Sequence, residues 1–227
     1  IAKKYNLYVV EDAAEAHGAE YKQQIVGSIG DIGCFSFFGN KIITTGEGGM
    51  LTTNNEDVYN KARILRDHGM SPERKYWHPY IGFNYRLTNL QAAIGCAQME
   101  QIEIILKNKQ SVAANYNKYL AKNNSIVFPP VNSWSKNVFW MYSIVIKEAI
   151  ADDGMRDKII NIMEQNNIEC RPFFYPIHSM PIYNNGETLH TAEYLSRNGI
   201  NLPSYVGISE DTIKEICKIF NKTIAMF

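Results

Sequence analysis

The stretch LYVVEDAAEAHGA, residues 7–19, places two carboxylates at the end of a short apolar run. An apolar run such as LYVVE followed by Asp12 is typical of a buried strand whose polar residue emerges at its carboxyl end. Ligands of open α/β sheets bind beyond the carboxyl ends of strands, so Asp12 is placed to meet one, although a turn or capping aspartate is the commoner role. Glu15 and His17 follow in the same loop, where a lone histidine is more often a structural donor than a catalyst.

The next apolar runs extend this pattern into an α/β unit. GCFSFF and GMLTT predict strands at residues 33–38 and 49–53, joined by the glycine-rich turn TTGEGG. Asn54 is placed to cap a helix that ends near residue 68. Thr88 and Gln91 match a capping box ahead of apolar positions that continue past Tyr116, which predicts one long helix.

The remainder of the chain alternates between strand and helix patterns and predicts a second, α+β unit. The predicted strands lie at residues 138–146 and 168–171, and the predicted helices lie at residues 155–166, at residues 192–197 and after Ser209. We expect a large domain over residues 1–107 and a small domain over residues 108–227.

Composition limits the kind of protein this is. The 227 residues are 45% hydrophobic and 20% charged, as in ordinary globular proteins, and no apolar run approaches the ~20 residues of a membrane helix. Lys and Arg number 23, as do Asp and Glu, so no net charge attracts nucleic acid or an anionic membrane. The four cysteines are far apart in apolar surroundings. They are interpreted as reduced core residues of a cytoplasmic protein without a metal site.

Lys41 ends the segment FSFFGNK, just after a predicted strand. Nearby aromatic residues would desolvate its ammonium and make the neutral amine available as a nucleophile, which a Schiff-base lysine requires. For an isolated lysine, however, a surface side chain lying along apolar residues is the commoner arrangement.

Three further segments carry candidate binding groups. The turn TTGEGG brings backbone amides together but lacks the ending of a nucleotide P-loop, so a tight turn between strands is favoured. GFNYRLT places Asn84, Tyr85 and Arg86 before a helix N-terminus, where anions are favoured. RPFFYPIH holds Arg171 and His178 in a rigid, proline-rich loop. Helix capping and loop packing explain these last two segments equally well.

In this order, EDAAEAHGA, FSFFGNK, TTGEGGM and GFNYRLTNLQAAIGCAQME resemble the DegT/DnrJ/EryC1/StrS sugar aminotransferases, which are fold-type I pyridoxal-phosphate enzymes. The similarity continues through RPFFYPIHSMPIY and NLPSY and covers nearly the whole chain. SFFGNK, RKYWH and RPFFYPIH are most similar to members that aminate a GDP-linked 4-keto-6-deoxy sugar. The resemblance implies the C-terminal part of a three-layer α/β large domain, followed by a small α+β domain.

The resemblance also implies a role for each matching residue. Lys41 corresponds to the Schiff-base lysine, and Asp12 to the carboxylate that keeps the pyridine nitrogen of pyridoxal 5'-phosphate protonated. Glu15 stands where the family has a polar residue beside the ring, and Ser36 corresponds to the serine that binds the cofactor phosphate. Asn84 is similar to an asparagine that reaches this phosphate from the neighbouring subunit, which implies a homodimer.

The implied substrates are glutamate, as the amino donor, and a nucleotide sugar. Tyr85, Arg86, Arg171 and His178 are the candidate contacts with the sugar nucleotide. Two alternatives are a ketosugar 3-dehydratase and a non-catalytic regulatory relative. The dehydratases have histidine in place of the Schiff-base lysine, so Lys41 argues against the first. Retention of the lysine, the aspartate, the serine and the asparagine together disfavours the second.

The chain begins at Ile1, and the family's N-terminal Ser/Gly/Thr-rich phosphate-binding loop has no counterpart in it. We therefore expect the chain to be the C-terminal part of a longer enzyme. We also expect that, by itself, it binds the cofactor poorly and is inactive.

Overall fold

The computed structural model describes residues 1–147 and 154–227. They form two compact units, one of Ile1–Leu106 with Val131–Val138 and the other of Lys107–Pro130 with Phe139–Phe227. The short segment Val131–Val138 belongs to the first unit because its strand pairs with a strand near residue 20.

The secondary structure of the described residues alternates helices and short strands. The helices are α1 (Ala2–Tyr5), α2 (Glu56–Arg66), α3 (Asn89–Glu100), α4 (Ile102–Leu120), α5 (Met155–Gln165), α6 (His190–Asn198) and α7 (Glu210–Ile224). The strands are β1 (Val10–Asp12), β2 (Glu20–Tyr21), β3 (Gln24–Ile25), β4 (Ile32–Ser36), β5 (Gly49–Thr52), β6 (Ile126–Val127), β7 (Ser135–Lys136), β8 (Tyr142–Ile146), β9 (Arg171–Pro172) and β10 (Gly199–Leu202). A 3-10 turn covers Ile177–Ser179.

The first unit is organised by a three-stranded sheet of order β1-β4-β5. β1 runs parallel to β4, with Asp12 opposite Cys34, and β5 pairs antiparallel on the other side of β4. The carboxyl ends of β1 and β4 therefore lie at the same edge of the sheet, with Asp12 and Ser36 as their last residues. A small antiparallel sheet of order β3-β2-β7 completes the strands of this unit.

The prediction that LYVVE is buried is wrong for this chain. The strand begins only at Val10, and Tyr8 and Val10 are 75% and 59% exposed. β1 pairs with β4 alone among the described residues, so one long edge of the strand has no neighbour there. An apolar run indicates that a strand can be buried. Burial also requires other elements packed against the strand, and the run itself does not determine whether they are present.

Two helix boundaries also differ from the predictions. α2 is capped by Asn55 rather than Asn54, because the Asn55 Oδ1 accepts the Val58 N–H at 3.1 Å. Thr88 and Gln91 form the predicted capping box. The single long helix is interrupted at Gln101, whose N–H bonds back to Gln98 O at 3.1 Å, so α3 and α4 are separate helices.

The second unit contains an antiparallel sheet of order β6-β8-β10-β9, with α5 and α7 packed against each other. Its core centres on Tyr116, Tyr142 and Phe220, which are fully buried. The two tyrosine rings stack with centroids 4.5 Å apart. Their hydroxyls donate to Pro203 O at 2.7 Å and to Asn117 Oδ1 at 2.6 Å, so burial leaves neither hydroxyl without a partner.

The cysteine prediction is right for two of the four residues. Cys170 and Cys217 are buried in the core of the second unit, and burial raises the pKa of each thiol to about 12. Cys34, in β4, is partly exposed. Cys96 is exposed because it lies in α3, which has no buried residue. Among the described helices, none is both long enough and apolar enough to span a bilayer.

Candidate active site

The first candidate group, Asp12, stands at the carboxyl end of β1. The backbone pairing with β4 continues one residue further, since the Ala13 N–H donates to Cys34 O at 2.9 Å. The Asp12 carboxylate is exposed, and its Oδ1 accepts the Ala14 N–H at 3.2 Å. This short turn holds the carboxylate at the edge where ligands of α/β sheets bind.

Lys41 lies in the turn that follows β4, where its backbone N–H donates to Phe38 O at 3.0 Å. Its side chain is only 10% exposed, and its Nζ forms an ion pair with Glu15 Oε1. The Glu15 side chain is 41% exposed, so the pair reaches from the protein interior to solvent. The structure thus brings together two residues, 26 positions apart in sequence, that the motifs only suggested separately.

Ser36 and the glycine-rich turn form the backbone beside this pair. Ser36 Oγ accepts the Phe38 N–H at 3.3 Å, which leaves the hydroxyl hydrogen able to donate to an anion. The Thr44 hydroxyl donates to Phe37 O at 2.9 Å and accepts the Gly46 N–H at 2.9 Å. The segment TTGEGG is therefore a structural turn that leads into β5, as predicted from its sequence.

His17 differs from the hydrogen-bonded structural donor that was predicted. It is 5% exposed, with its ring 5.3 Å from Phe35 and 5.7 Å from Phe37, and neither ring nitrogen has a hydrogen-bond partner among the described residues. Burial lowers its pKa, and the charge of Lys41 lowers it further, against a smaller opposing effect of Glu15. His17 is therefore neutral at pH 7.

Glu11 supports the candidate site through its backbone contacts, and no sequence motif indicated this role. Its carboxylate accepts three backbone N–H groups, from Gly27 at 2.7 Å and from Ile29 and Gly30 at 2.6 Å each. Burial raises its pKa, but the three hydrogen bonds together outweigh burial, and the net shift is downward. Because Glu11 precedes Asp12, these bonds fix the strand end on which Asp12 stands. The glycines at 27 and 30 were the available signal.

Glu11→Gln should lower the free energy of unfolding by about 2 kcal/mol at pH 7, because the amide group presents N–H to the Gly27 N–H and loses the charge-assisted bonds. A carboxylate with a lowered pKa stabilises the fold above its ordinary value of 4.5 and loses that contribution as pH falls through its folded value. Urea unfolding at pH 7 and at pH 3.5 should therefore show a smaller difference from the wild type at the lower pH. Glu20→Gln, which affects an exposed ion pair with Lys136, is the control; an equal loss in both variants would contradict the prediction.

The segment around Asn84 is held against the end of α2. Asn84 forms an isolated β-bridge with Asp67, and Arg86 Nη1 donates to Asp67 Oδ2 at 3.3 Å. The rings of Phe83 and Tyr85 stack with centroids 4.9 Å apart, and both remain exposed. Arg86 already has an acidic partner, whereas Asn84 and Tyr85 present their side chains at the surface of the first unit.

Arg171 and His178 belong to the second unit, and each has an acidic partner. Arg171 is exposed and donates from Nε and Nη2 to Glu169 Oε1 at 3.0 and 2.9 Å. His178 Nε2 lies 3.0 Å from Glu193 Oε1, with a side chain that is 12% exposed. Their assignment to the sugar nucleotide stays a prediction. No cluster of three or more potential metal ligands occurs in the described part of the chain.

Comparison with known proteins agrees with this architecture. Residues 1–221 match the model of the DegT/DnrJ/EryC1/StrS aminotransferase family. The GDP-perosamine synthase of Caulobacter vibrioides is 44% identical over 227 residues, which cover 99% of this chain and 61% of the synthase. The chain therefore spans about three fifths of the length of that curated relative.

Solved structures show the same fold. The Helicobacter pylori aminotransferase PseC, involved in the biosynthesis of pseudaminic acid, superposes with a TM-score of 0.93 at 25% identity, over all of this chain and 62% of PseC. A sugar aminotransferase of Streptococcus pneumoniae in its PLP form gives a TM-score of 0.89 at 24% identity, over 99% of this chain and 60% of that protein. The chain belongs to the DegT/DnrJ/EryC1/StrS aminotransferase family.

Proposed function

We propose that the protein is a pyridoxal-phosphate-dependent aminotransferase that moves an amino group from glutamate to a nucleotide-linked 4-keto-6-deoxy sugar, as a GDP-perosamine synthase would. The observation that carries this proposal is the Lys41–Glu15 pair at the sheet edge that also holds Asp12. The 44% identity to a GDP-perosamine synthase supports the GDP-linked substrate. In this proposal the cofactor is held within residues 1–107, and residues 108–227 form the small domain.

The groups at this edge fit the chemistry of pyridoxal 5'-phosphate. The cofactor has a ring nitrogen that a carboxylate stabilises in its protonated form, an aldehyde that needs a primary amine, and a phosphate that needs N–H or O–H donors. Asp12 supplies the carboxylate, Lys41 supplies the primary amine, and Ser36 supplies the hydroxyl donor. Asp12 and Ser36 are the last residues of the adjacent parallel strands β1 and β4. Sequence motifs carry the assignment of Asn84 as a further phosphate contact, contributed from the neighbouring subunit of a homodimer.

The proposed mechanism assigns these residues distinct tasks. When bound, the cofactor supplies an electron sink for the carbon from which the amino group leaves or to which it is added. The Asp12 carboxylate would keep the cofactor's ring nitrogen protonated. Lys41 Nζ, as a neutral amine, would take a proton from the α-carbon of the amino donor and, in the second half of the reaction, would give a proton to the sugar carbon that receives nitrogen. His17 is a neutral, buried neighbour of this pair in the proposal.

The test is amino transfer by the native protein, expressed from its complete reading frame. We expect glutamate to convert the bound cofactor to its amine form, seen as a shift in absorption, and a GDP-linked 4-keto-6-deoxy sugar to restore the original spectrum with formation of an aminosugar. No shift with glutamate would favour a regulatory relative. A shift followed by a deoxygenated sugar, without nitrogen, would favour a 3-dehydratase.

A further inference from the structure

The side of α3 that is shielded from solvent is polar. Within Asn89–Glu100, only Gln91, Gly95 and Gln98 are partly buried, and all the other residues of the helix are exposed. Their spacing of four and then three residues places them on one face of the helix. Side-chain amides that are withdrawn from water need hydrogen-bond partners, so this face should hold a specific polar contact.

That contact is with the glycine-rich turn TTGEGG, residues 44–49. The Thr44 N–H donates to Gln98 Oε1 at 3.1 Å. One helical turn and a half earlier, Gln91 Nε2 donates to Glu47 O at 3.3 Å. The two glutamines therefore bind both sides of the turn through its backbone, 44 and 54 positions away in sequence.

Gly95 allows α3 to approach the turn this closely. A Cβ at Gly95 would lie 3.0 Å from Thr45 Cγ2, which is a tight contact. The Thr45 N–H donates to Phe37 O at 3.0 Å, and the Thr44 hydroxyl donates to the same carbonyl at 2.9 Å. Residues 38–44, called the lysine loop below, are therefore closed at their base by two hydrogen bonds to one carbonyl oxygen.

Lys41 lies in the middle of the lysine loop, three residues before Thr44. The side chains between them, Ile42 and Ile43, are 6% and 1% exposed. Close-packed interior side chains transmit a displacement instead of absorbing it, so a shift of Thr44 should also move Lys41.

We propose that Gln98 is a positioning residue for Lys41: by accepting the Thr44 N–H at the base of the lysine loop, it fixes the place from which Lys41 acts. This inference rests on the proposed function and adds to it a residue of α3 that acts only through the loop. The role depends on one acceptor oxygen, Gln98 Oε1, so it can be removed and restored by changing a single side chain.

The first test is amide hydrogen exchange of the cofactor-free native protein, measured by mass spectrometry of its peptides. Gln98→Met removes the acceptor but keeps an unbranched side chain that suits a helix. Exchange at Thr44 should become about tenfold faster, the effect of losing one hydrogen bond, and the change should be confined to the peptide that covers residues 38–48. Gln98→Glu, which keeps an acceptor oxygen, should remain close to the wild type.

The second test is steady-state amino transfer by the same variants. Gln98→Met should lower kcat about tenfold or more, because a small misplacement of a reacting group is costly. The KM values for glutamate and the ketosugar should stay within about twofold of the wild type, and Gln98→Glu should restore kcat. Gln101→Met replaces an exposed glutamine at the end of the same helix and is the matched control, which should change neither measurement.

The proposal is overturned if Gln98→Met leaves exchange in the lysine loop unchanged, or if it accelerates exchange throughout the first unit, as a general stabilising role would. It is also overturned if Gln98→Met lowers kcat no more than Gln101→Met does, or if Gln98→Glu fails to restore kcat. The exchange measurement uses neither cofactor nor substrate. Its failure is therefore distinct from absence of amino transfer in the wild type, which would reject the proposed function itself.

Discussion

Lys41→Ala should lower kcat/KM for amino transfer by about 10⁴-fold or more, because in the proposed function Lys41 is the amine that binds the cofactor and moves the proton. Lys41→Arg should be almost as inactive, although its guanidinium keeps the charge facing Glu15, because arginine does not become a neutral nucleophile at pH 7. Steady-state kinetics of the native protein with glutamate and the ketosugar measure both effects.

Lys136→Ala is the control for these variants, since it also removes a lysine that is ion-paired in the first unit but lies in the β3-β2-β7 sheet. It should retain wild-type kinetics. Activity of Lys41→Ala within tenfold of the wild type would exclude Lys41 as the reactive amine. Circular dichroism and the free energy of unfolding show whether any loss arises from misfolding.

Asp12→Asn should reduce kcat by about 10²- to 10³-fold, the usual cost of removing one electrostatic stabiliser from an active site. The amide keeps an oxygen that can accept the Ala14 N–H, so the turn after β1 is preserved while the negative charge is lost. In the proposed function Asp12 stabilises the protonated ring nitrogen of the cofactor, so loss of its charge would weaken the electron sink. The decrease should appear in kcat more than in the KM for the nucleotide sugar.

Asp57→Asn, in the first turn of α2, is a surface control that removes the same charge from the same unit and should leave kcat unchanged. If Asp12→Asn and the wild type had equal kinetics, Asp12 would be only a turn residue, the alternative role that its position after β1 also allows. A loss confined to KM would instead place Asp12 in substrate binding.

The local features of the fold were predictable because they depend on neighbouring residues. The capping box at Thr88 and Gln91 and the Ser209 cap of α7 each involve side chains within three residues of the backbone they bind, and both form as predicted. Which of Asn54 and Asn55 caps α2 was not predictable in the same way. Both side chains suit an N-cap position, and only the exact start of the first helical turn selects one of them. Burial of β1 failed as a prediction because it depends on elements distant in sequence.

The candidate site also has some features that the local sequence predicts and others that only the structure shows. Motif order alone identified the family to which the chain belongs and predicted Lys41 and Asp12 as site residues, since motifs depend on residue types at fixed spacing. The glycines at 27 and 30 suggested a loop but not that Glu11 binds its amides. The partnership of Glu15 with Lys41 was likewise absent from every motif.

The sequence by itself therefore determined which chemical groups this protein brings to its candidate site. A carboxylate that follows one strand and a lysine that follows another are both visible in the local sequence. Only the tertiary structure decided which of those groups meet. Parallel pairing of β1 with β4 sets Asp12 and Ser36 at one edge and brings the loop after β1 to the turn after β4, where Glu15 reaches Lys41. Contacts between residues so far apart in sequence depend on strand register and packing, which no local pattern specifies.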